Sequence, residues 1–195
     1  MEQTYAIELK NITKRFGKIV ANDGINLKVK RGEILSLLGE NGSGKTTLMN
    51  MISGIYFPDE GHILVDGKAV SIRSPKDSFD LGIGMIHQHF KLIDVMTAAE
   101  NIILGLKGNA VLDMKKVHKD IQELVDRYGF DLDPAQKVYT MSVSQKQTVE
   151  IVKMLYRGAN ILILDEPTAG LDPKERVKFR NLISSFAENK IVILS

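Results

Sequence analysis

The segment Gly39–Thr46 reads Gly-Glu-Asn-Gly-Ser-Gly-Lys-Thr and decides the fold around it. In a loop of this spacing, glycines permit positive φ, and backbone N–H groups converge on phosphate oxygens. The apolar run Glu33–Leu38 before it predicts a buried parallel strand, and Thr46–Ser53 after it predicts a helix that stops at Gly54. The positive end of that helix dipole faces the same anion. The segment therefore predicts a triphosphate-binding loop rather than a flexible Gly/Ser turn with a solvated lysine.

Each residue type in the loop has a chemical reason. Lys45 carries a positive charge to the β and γ phosphates, and the Thr46 hydroxyl is a ligand for Mg²⁺. The predicted cofactors are accordingly ATP and Mg²⁺. The other predicted nucleotide contacts come from the same stretch, at Gly39, Asn41, Gly42, Ser43, Gly44 and Thr47.

A second signal is the acidic pair Asp165-Glu166, which directly follows the apolar run Ile161–Leu164. In open α/β folds, ligands bind at the carboxyl ends of parallel strands. Asp165 is predicted to hold Mg²⁺, directly or through water, and Glu166 to orient or polarise the attacking water. Acidic residues also gather at helix N-termini for electrostatic reasons. The phosphate loop upstream favours the catalytic interpretation.

Composition narrows the class of protein. The 195 residues carry 26 basic and 24 acidic side chains, so a net charge of +2 gives no bulk attraction for nucleic acid. The absence of cysteine excludes disulfides and thiolate metal sites. No apolar run approaches the roughly 20 residues that a membrane span needs. A role at a membrane would therefore require a partner.

Hydrophobic patterning predicts strands at both ends of the chain and helices between them. Tyr5–Leu9 and Ile25–Val29 alternate, with a turn predicted at Gly24, and Asp66-Gly67 predicts a hairpin. Helical spacing runs from Thr97 to Tyr156. The remaining predicted elements are a helix opened by Ser74-Pro75, strands at Gly82–His87, Leu162–Leu164 and Ile191–Leu194, and a helix at Pro173–Ala187.

Three further motifs complete an ordered series: Gln88 after a core strand, Ser142-Val143-Ser144-Gln145 opening a helix, and Ala169–Asp172. With this series the chain resembles the ATP-binding subunit of ABC transporters over nearly its whole length. The resemblance implies an α/β P-loop NTPase with a RecA-like core, an N-terminal antiparallel β subdomain and an inserted α-helical subdomain. Residues 1–88 and 159–195 would form the nucleotide-binding core with the β subdomain, and residues 89–158 the helical subdomain, in one domain spanning 1–195.

The resemblance also implies roles for single residues. Phe16 matches the aromatic that stacks on adenine, although a phenylalanine there also suits a core or a surface. Gln88 matches the glutamine that senses Mg²⁺ and the attacking water, and Asp172 the aspartate that communicates across a dimer. The signature residues that reach the γ-phosphate of the opposite subunit are Ser142, Ser144 and Gln145.

The partners implied are a second ATP-binding domain in a head-to-tail dimer and transmembrane permease subunits, with no nucleic acid. The location implied is the cytoplasmic face of the cell membrane. ATP would close the dimer and hydrolysis would open it.

The chain departs from the family pattern in three places. Ser144 stands where the signature usually has glycine, which predicts reduced but nonzero hydrolysis, and Thr148 stands where a basic residue often follows. The chain ends at Ser195, before the position of the family's switch histidine, so we expect it to be incomplete at the C-terminus. The four histidines, His62, His87, His89 and His118, lie elsewhere.

Two sets of residues point to different transporters. His87–Phe90, Met141–Gln147 and Val149–Val152 resemble ATPases that import nucleosides and simple sugars, in which this would be the first of two halves. Gly170–Pro173 and the end of the chain resemble single-domain exporter ATPases, so an importer, an exporter and a chimera remain open. Two other classes are a soluble ABC ATPase of translation or DNA repair, and a module that binds ATP with little turnover.

Overall fold

The computed structural model describes residues 5–87, 90–106, 113–168, 171–187 and 191–194. The strands are β1 (Ile7–Phe16), β2 (Ile19–Val29), β3 (Ile34–Ser36), β4 (Glu60–Val65), β5 (Lys68–Val70), β6 (Ile83–Ile86), β7 (Ile161–Leu164) and β8 (Ile191–Leu194). The helices are α1 (Lys45–Ile52), α2 (Pro75–Asp80), α3 (Ala98–Ile103), α4 (Met114–Tyr128), α5 (Val143–Tyr156) and α6 (Pro173–Ala187), with a 3-10 turn at Val138–Thr140. These elements fall into two compact units.

The described residues of the first unit lie within Met1–Met85, Ala159–Glu166 and Phe186–Ser195. One of its sheets has the strand order β2-β1-β4-β5, and its paired strands are antiparallel. The turn between β1 and β2 lies at Gly17-Lys18, where Gly17 has a φ of 59°. The predicted turn at Gly24 is therefore wrong. Gly24 lies inside β2, and its N–H donates to the Thr13 hydroxyl at 3.0 Å where the pairing register shifts.

The other sheet of this unit has the order β3-β8-β7-β6, and β8 pairs in parallel with both β3 and β7. Only Ile34–Ser36 of the predicted strand Glu33–Leu38 is extended, and Ile34 and Leu38 are exposed rather than buried. This strand lies at the edge of the sheet, so fewer neighbours cover it than cover the fully buried β7. Side chains from both sheets and from α1 form one apolar core, including Ile7, Leu9, Met49, Ile52, Ile161, Ile163 and Ile193.

The second unit is helical, and its described residues lie within Ile86–Gly158 and Pro167–Ser185. Val117, Ile121 and Val125 recur every four positions along α4 and are all buried, as the helical spacing predicted. The Arg157 side chain donates to the carbonyls of Ile102 and Leu104 at the end of α3. Burial lowers the pKa of that guanidinium, and its carbonyl contacts satisfy groups that the helix end leaves unpaired.

Some predictions lie outside what the structure describes. Gln88, His89, Ala169 and Gly170 are not among the described residues. The predicted division into residues 1–88 with 159–195 and residues 89–158 remains a prediction. No helix in the described part of the chain combines the length and apolar character of a membrane span.

Candidate functional site

The phosphate-loop segment joins β3 to α1 through a backbone that requires glycine. Gly42 and Gly44 have φ of 84° and 87°, a region that other L-residues rarely adopt. A Cβ at Gly44 would lie 2.3 Å from the Ala21 carbonyl oxygen, so this position also leaves no room for a side chain. The Ser43 N–H donates to the Glu40 carbonyl at 3.2 Å and closes a turn. The glycines of the motif therefore meet a steric requirement of this fold.

Lys45 is the first residue of α1, and its ammonium group folds back over the loop. Lys45 Nζ donates to the carbonyls of Gly39 at 2.8 Å and Glu40 at 2.9 Å, and to Ser43 Oγ at 3.4 Å. The first turn of α1 holds no acidic residue, and among the described side chains none caps its N–H groups. Free N–H groups and a lysine at a helix N-terminus suit an anion. The residues fit the triphosphate predicted from the sequence.

Thr46 and Asp165 meet within the first unit. The Thr46 hydroxyl donates to Asp165 Oδ1 at 3.4 Å, and Asp165 is buried directly after β7. A hydroxyl and a carboxylate oxygen are ligands that Mg²⁺ accepts when phosphates and waters supply the rest. The described residues contain no group of three or more His, Cys, Asp or Glu that could hold a metal by themselves. The donor set therefore fits Mg²⁺ carried with a phosphate rather than a cage built from protein alone.

Glu166 follows with an unusual backbone. Its φ is 47°, in the left-handed region, and its side chain is exposed. Residues held in this region cost about 1–3 kcal/mol and cluster at functional sites. Glu166 follows directly on Asp165 after β7, and its predicted catalytic role remains a prediction.

Phe16 lies at the end of β1 and is 41% exposed, which leaves part of its ring accessible. Its ring centroid is 5.2 Å from that of Tyr56, with an angle of 72° between the ring planes. The first unit thus contains Phe16, the loop with Thr47, Asp165 and Glu166.

Sequence reasoning missed Asn22, a buried residue of β2 behind the loop. Asn22 Nδ2 donates to the Gly44 carbonyl at 3.3 Å, and no described group bonds its Oδ1. The bond restrains the last glycine before α1. Asparagine in a strand of alternating pattern gives no signal of such a contact, because the partner is 22 residues away.

The second unit contains the signature residues at the start of α5. The Ser142 hydroxyl accepts from the Gln145 N–H at 3.2 Å, and Gln145 Oε1 accepts from the Ser142 N–H at 3.1 Å. This capping box fixes the helix N-terminus, and the prediction that this motif opens a helix is confirmed. Ser144 lies one residue before Gln145, and its carbonyl accepts from the Thr148 hydroxyl at 3.1 Å. Thr148 therefore has a contact inside its own helix.

A cavity of about 570 Å³ opens beside the signature. Ser142, Ser144, Gln145 and Thr148 line it together with the segment Tyr128–Asp131 and with Glu175, Phe179 and Asn181 of α6. Asp172 caps α6 in the same unit: its Oδ1 accepts from the Glu175 N–H at 2.8 Å, and its own N–H donates to Glu175 at 3.1 Å. The site residues of this unit therefore lie at two helix N-termini.

The curated relatives are named as import ATP-binding proteins. The guanosine import ATP-binding protein NupO of Bacillus subtilis is 51% identical over 192 residues, which are 97% of this chain and 38% of that protein. The nucleoside import ATP-binding protein NupA of Lactococcus lactis subsp. cremoris is 49% identical over 197 residues, 100% of this chain and 39% of NupA. The chain thus spans about two fifths of the length of these relatives.

Solved structures share the fold. CbiO1 of Clostridium perfringens, part of the ABC transporter complex cbiONQ, matches with a TM-score of 0.83 and 29% identity, over 98% of this chain and 78% of CbiO1. The ATP-binding cassette MJ0796, dimeric and bound to ADP and Pi after hydrolysis, matches with a TM-score of 0.78 and 29% identity, over 96% of this chain and 86% of the cassette. These matches confirm the predicted P-loop NTPase fold.

The family model described as ABC transporter matches residues 22–169, from β2 through the phosphate loop and the signature to the acidic pair. The roles predicted for single site residues remain predictions. The curated relatives and the solved structures each match nearly the whole chain. The chain therefore belongs to the ABC transporter family, as an ATP-binding domain with the P-loop NTPase fold.

Proposed function

We propose that this chain binds ATP with Mg²⁺ and hydrolyses it to power a membrane importer. The observation that carries the proposal is the 3.4 Å contact between the Thr46 hydroxyl and Asp165 Oδ1. It joins the phosphate loop to the acidic strand end across 119 positions, and this pairing suits a metal–triphosphate complex. In the proposed division, residues 1–88 and 159–195 bind the nucleotide and residues 89–158 present the signature.

The proposed chemistry is in-line attack of water on the γ-phosphate. Backbone N–H groups of Gly42–Thr47 bind the β and γ oxygens, and Lys45 exchanges its carbonyl contacts for those oxygens and stabilises their charge. Gln88 helps to orient the water, and the Glu166 carboxylate accepts its proton. Thr46, Asp165 and Gln88 would hold Mg²⁺, which would neutralise phosphate charge. Phe16 stacks on the adenine, since an exposed aromatic ring suits a base.

The second half of the site comes from a partner domain in a head-to-tail dimer. Ser142, Ser144 and Gln145 stand at the N-terminus of α5, which offers N–H groups and a positive dipole to a γ-phosphate held by the opposite domain. Asp172 communicates between the two domains. The dimeric state of the cassette MJ0796 supports this arrangement.

The cargo class we propose is nucleosides. Relatives named for guanosine and nucleoside import are 51% and 49% identical to this chain, whereas relatives named for glucose and ribose import, from Haloferax volcanii and Escherichia coli O157:H7, are 45% and 39% identical. These names favour an importer over the exporter alternative. The ATPase would then act at the cytoplasmic face of the cell membrane, bound to transmembrane permease subunits.

The first test is nucleotide binding by the chain itself. Isothermal titration with MgATP should give binding that Lys45→Ala weakens about tenfold or more, because a charge-assisted contact contributes about 1.5–3 kcal/mol. Lys68→Ala removes an exposed lysine from β5 and serves as the matched control. Equal affinity of the two variants would show that the loop does not bind the triphosphate.

The second test concerns transport. The complete transporter is placed in membrane vesicles with this chain on the luminal side. These vesicles should take up radiolabelled guanosine when ATP is present in the lumen. Uptake of ribose without nucleosides would assign the sugar class instead. A transporter that exports the label would restore the exporter alternative.

A specific observation supports a second candidate, an ATP-binding module with little turnover. Ser144 adds a hydroxymethyl group where the family has glycine, and it lines the cavity beside the signature. A complete dimer that binds MgATP but releases no phosphate would favour this candidate over the ATPase.

A further inference from the structure

The turn that follows α1 connects the phosphate loop to the end of β1. The N–H groups of Ile55 and Tyr56 both donate to the Asn50 carbonyl, at 2.9 and 3.1 Å, so the turn is bonded to the last part of α1. Farther along, the Asp59 N–H donates to the Thr13 carbonyl at 2.9 Å. The helix that begins at the phosphate loop is therefore tied, through residues 53–59, to the strand that carries Phe16.

Asp59 holds the two residues before Phe16. Its Oδ1 accepts from Lys14 Nζ at 2.9 Å, and its Oδ2 accepts from the Arg15 N–H at 2.6 Å. The Lys14 side-chain bond, followed by the Arg15 backbone bond, lowers the pKa of this carboxyl. Arg15 also pairs with Glu60 at 2.5 Å. These contacts fix the backbone at the end of β1, which reaches solvent at the Gly17 turn.

Tyr56 acts on the Phe16 ring itself. The two rings form an edge-to-face pair 5.2 Å apart, and Lys14 Nζ lies 5.5 Å from the Phe16 centroid. Phe16 and Tyr56 are 41% and 37% exposed, so neither ring is covered as a core residue would be. Edge-to-face contact is a favoured aromatic geometry and restricts the ring angle. Without the Tyr56 contact, an exposed ring at a strand end would have no comparable restraint on its orientation.

We propose that Tyr56 is a positioning residue for base recognition: it holds the Phe16 ring at the angle at which an adenine stacks, and the bonded turn 53–59 holds Tyr56 beside that ring. The proposal rests on the proposed function, because it requires Phe16 to contact the base. Preorganisation of a ring lowers the conformational entropy lost when a ligand binds. The contribution of Tyr56 therefore concerns the base and not the phosphates.

This separation defines the experiment. The chain is titrated calorimetrically with MgATP and with magnesium tripolyphosphate, which has the phosphates without the base. Tyr56→Leu should weaken MgATP binding about two- to tenfold, the range expected for an aromatic pair, and leave tripolyphosphate binding unchanged. Tyr56→Phe keeps the ring and should bind MgATP like the wild type. Phe16→Leu should abolish the effect of Tyr56→Leu in the double variant.

Phe57→Leu is the matched control, because it removes the neighbouring exposed aromatic of the same turn. The Phe57 ring lies 5.2 Å from the Arg73 guanidinium carbon. This variant should keep wild-type affinity for both ligands, and circular dichroism should show the wild-type spectrum for every variant that is compared.

Several outcomes would overturn the proposal. Wild-type MgATP affinity in Tyr56→Leu, or equal losses for MgATP and tripolyphosphate, would leave Tyr56 as a structural residue only. If the chain binds tripolyphosphate but Phe16→Leu leaves MgATP affinity unchanged, Phe16 does not contact the base. The proposed phosphate site would then remain supported, and the role of Tyr56 would be refuted. A wild-type chain that binds neither ligand would refute the proposed function, and the proposal about Tyr56 with it.

Discussion

The hydroxyl of Thr46, in the first turn of α1, donates to the carboxylate of Asp165 at the end of β7 at 3.4 Å. The two residues belong to separate sequence motifs, and the fold brings them into contact. Asp165 is buried, and its Oδ1 is the atom that accepts from the loop hydroxyl. This relationship supports the Mg²⁺ proposed for the phosphate loop.

Asp165→Asn should lower the magnesium-dependent part of ATP affinity about tenfold, because an amide oxygen lacks the charge that a hard cation prefers. Binding measured with EDTA should not change. Calorimetric titration with and without Mg²⁺ gives both values. Asp66→Asn, which removes an exposed carboxylate paired with Arg31, is the control and should leave both values unaltered. A similar loss with EDTA would indicate a folding defect.

Glu166→Gln should reduce phosphate release in the complete dimer about 10²–10⁴-fold, the contribution typical of a general base, and preserve ATP affinity. Glutamine matches glutamate in shape and meets the same left-handed φ of 47°, so the substitution isolates the chemistry from the backbone geometry. Turnover is measured by phosphate release and affinity by titration. Wild-type turnover in this variant would show that another group handles the water.

Ser144→Gly should raise hydrolysis in the complete dimer, because removal of the side chain permits closer backbone approach at the start of α5. Steady-state phosphate release at saturating MgATP is the measurement. Ser184→Gly makes the same change at an exposed position of α6 and should not alter turnover. If Ser144→Gly is no faster than the wild type, the serine does not limit the reaction.

Asp59 should make stability pH-dependent in the acid range. Lys14 and the Arg15 N–H hold the pKa of this carboxyl below its ordinary value of 3.8, so the ionised form stabilises the folded chain above that pH. This contribution is lost as pH falls through the lowered pKa. Urea unfolding should therefore show a difference between the wild type and Asp59→Asn that is constant at pH 5–7 and shrinks below the ordinary pKa.

The Lys14→Met variant tests the stated cause of the Asp59 shift. It removes the largest contribution to the lowered pKa, so the acid loss of stability should be smaller than in the wild type and should be complete at a higher pH. An unchanged acid profile in both variants would show that the carboxylate is not coupled to folding.

Periodicity and motif context predicted much of this fold correctly. Helix α4 follows from the spacing of Val117, Ile121 and Val125, and the start of α5 was predicted at Ser142–Gln145, because these signals depend on residues close together in the sequence. The Gly24 turn was wrong because positive φ also occurs at a bulge within a strand, and only the pairing of β1 with β2 distinguishes the two.

The sequence by itself determined the phosphate loop, the acidic strand end and the signature, since their chemistry depends on short spacings along the chain. Only the tertiary structure decided that Thr46 meets Asp165, that Asn22 bonds the carbonyl of Gly44, and that Tyr56 contacts the Phe16 ring. These contacts join residues 119, 22 and 40 positions apart, and packing rather than local propensity brings them together. The exposed edge at β3 was decided in the same way, because an apolar run carries no information about its place in a sheet.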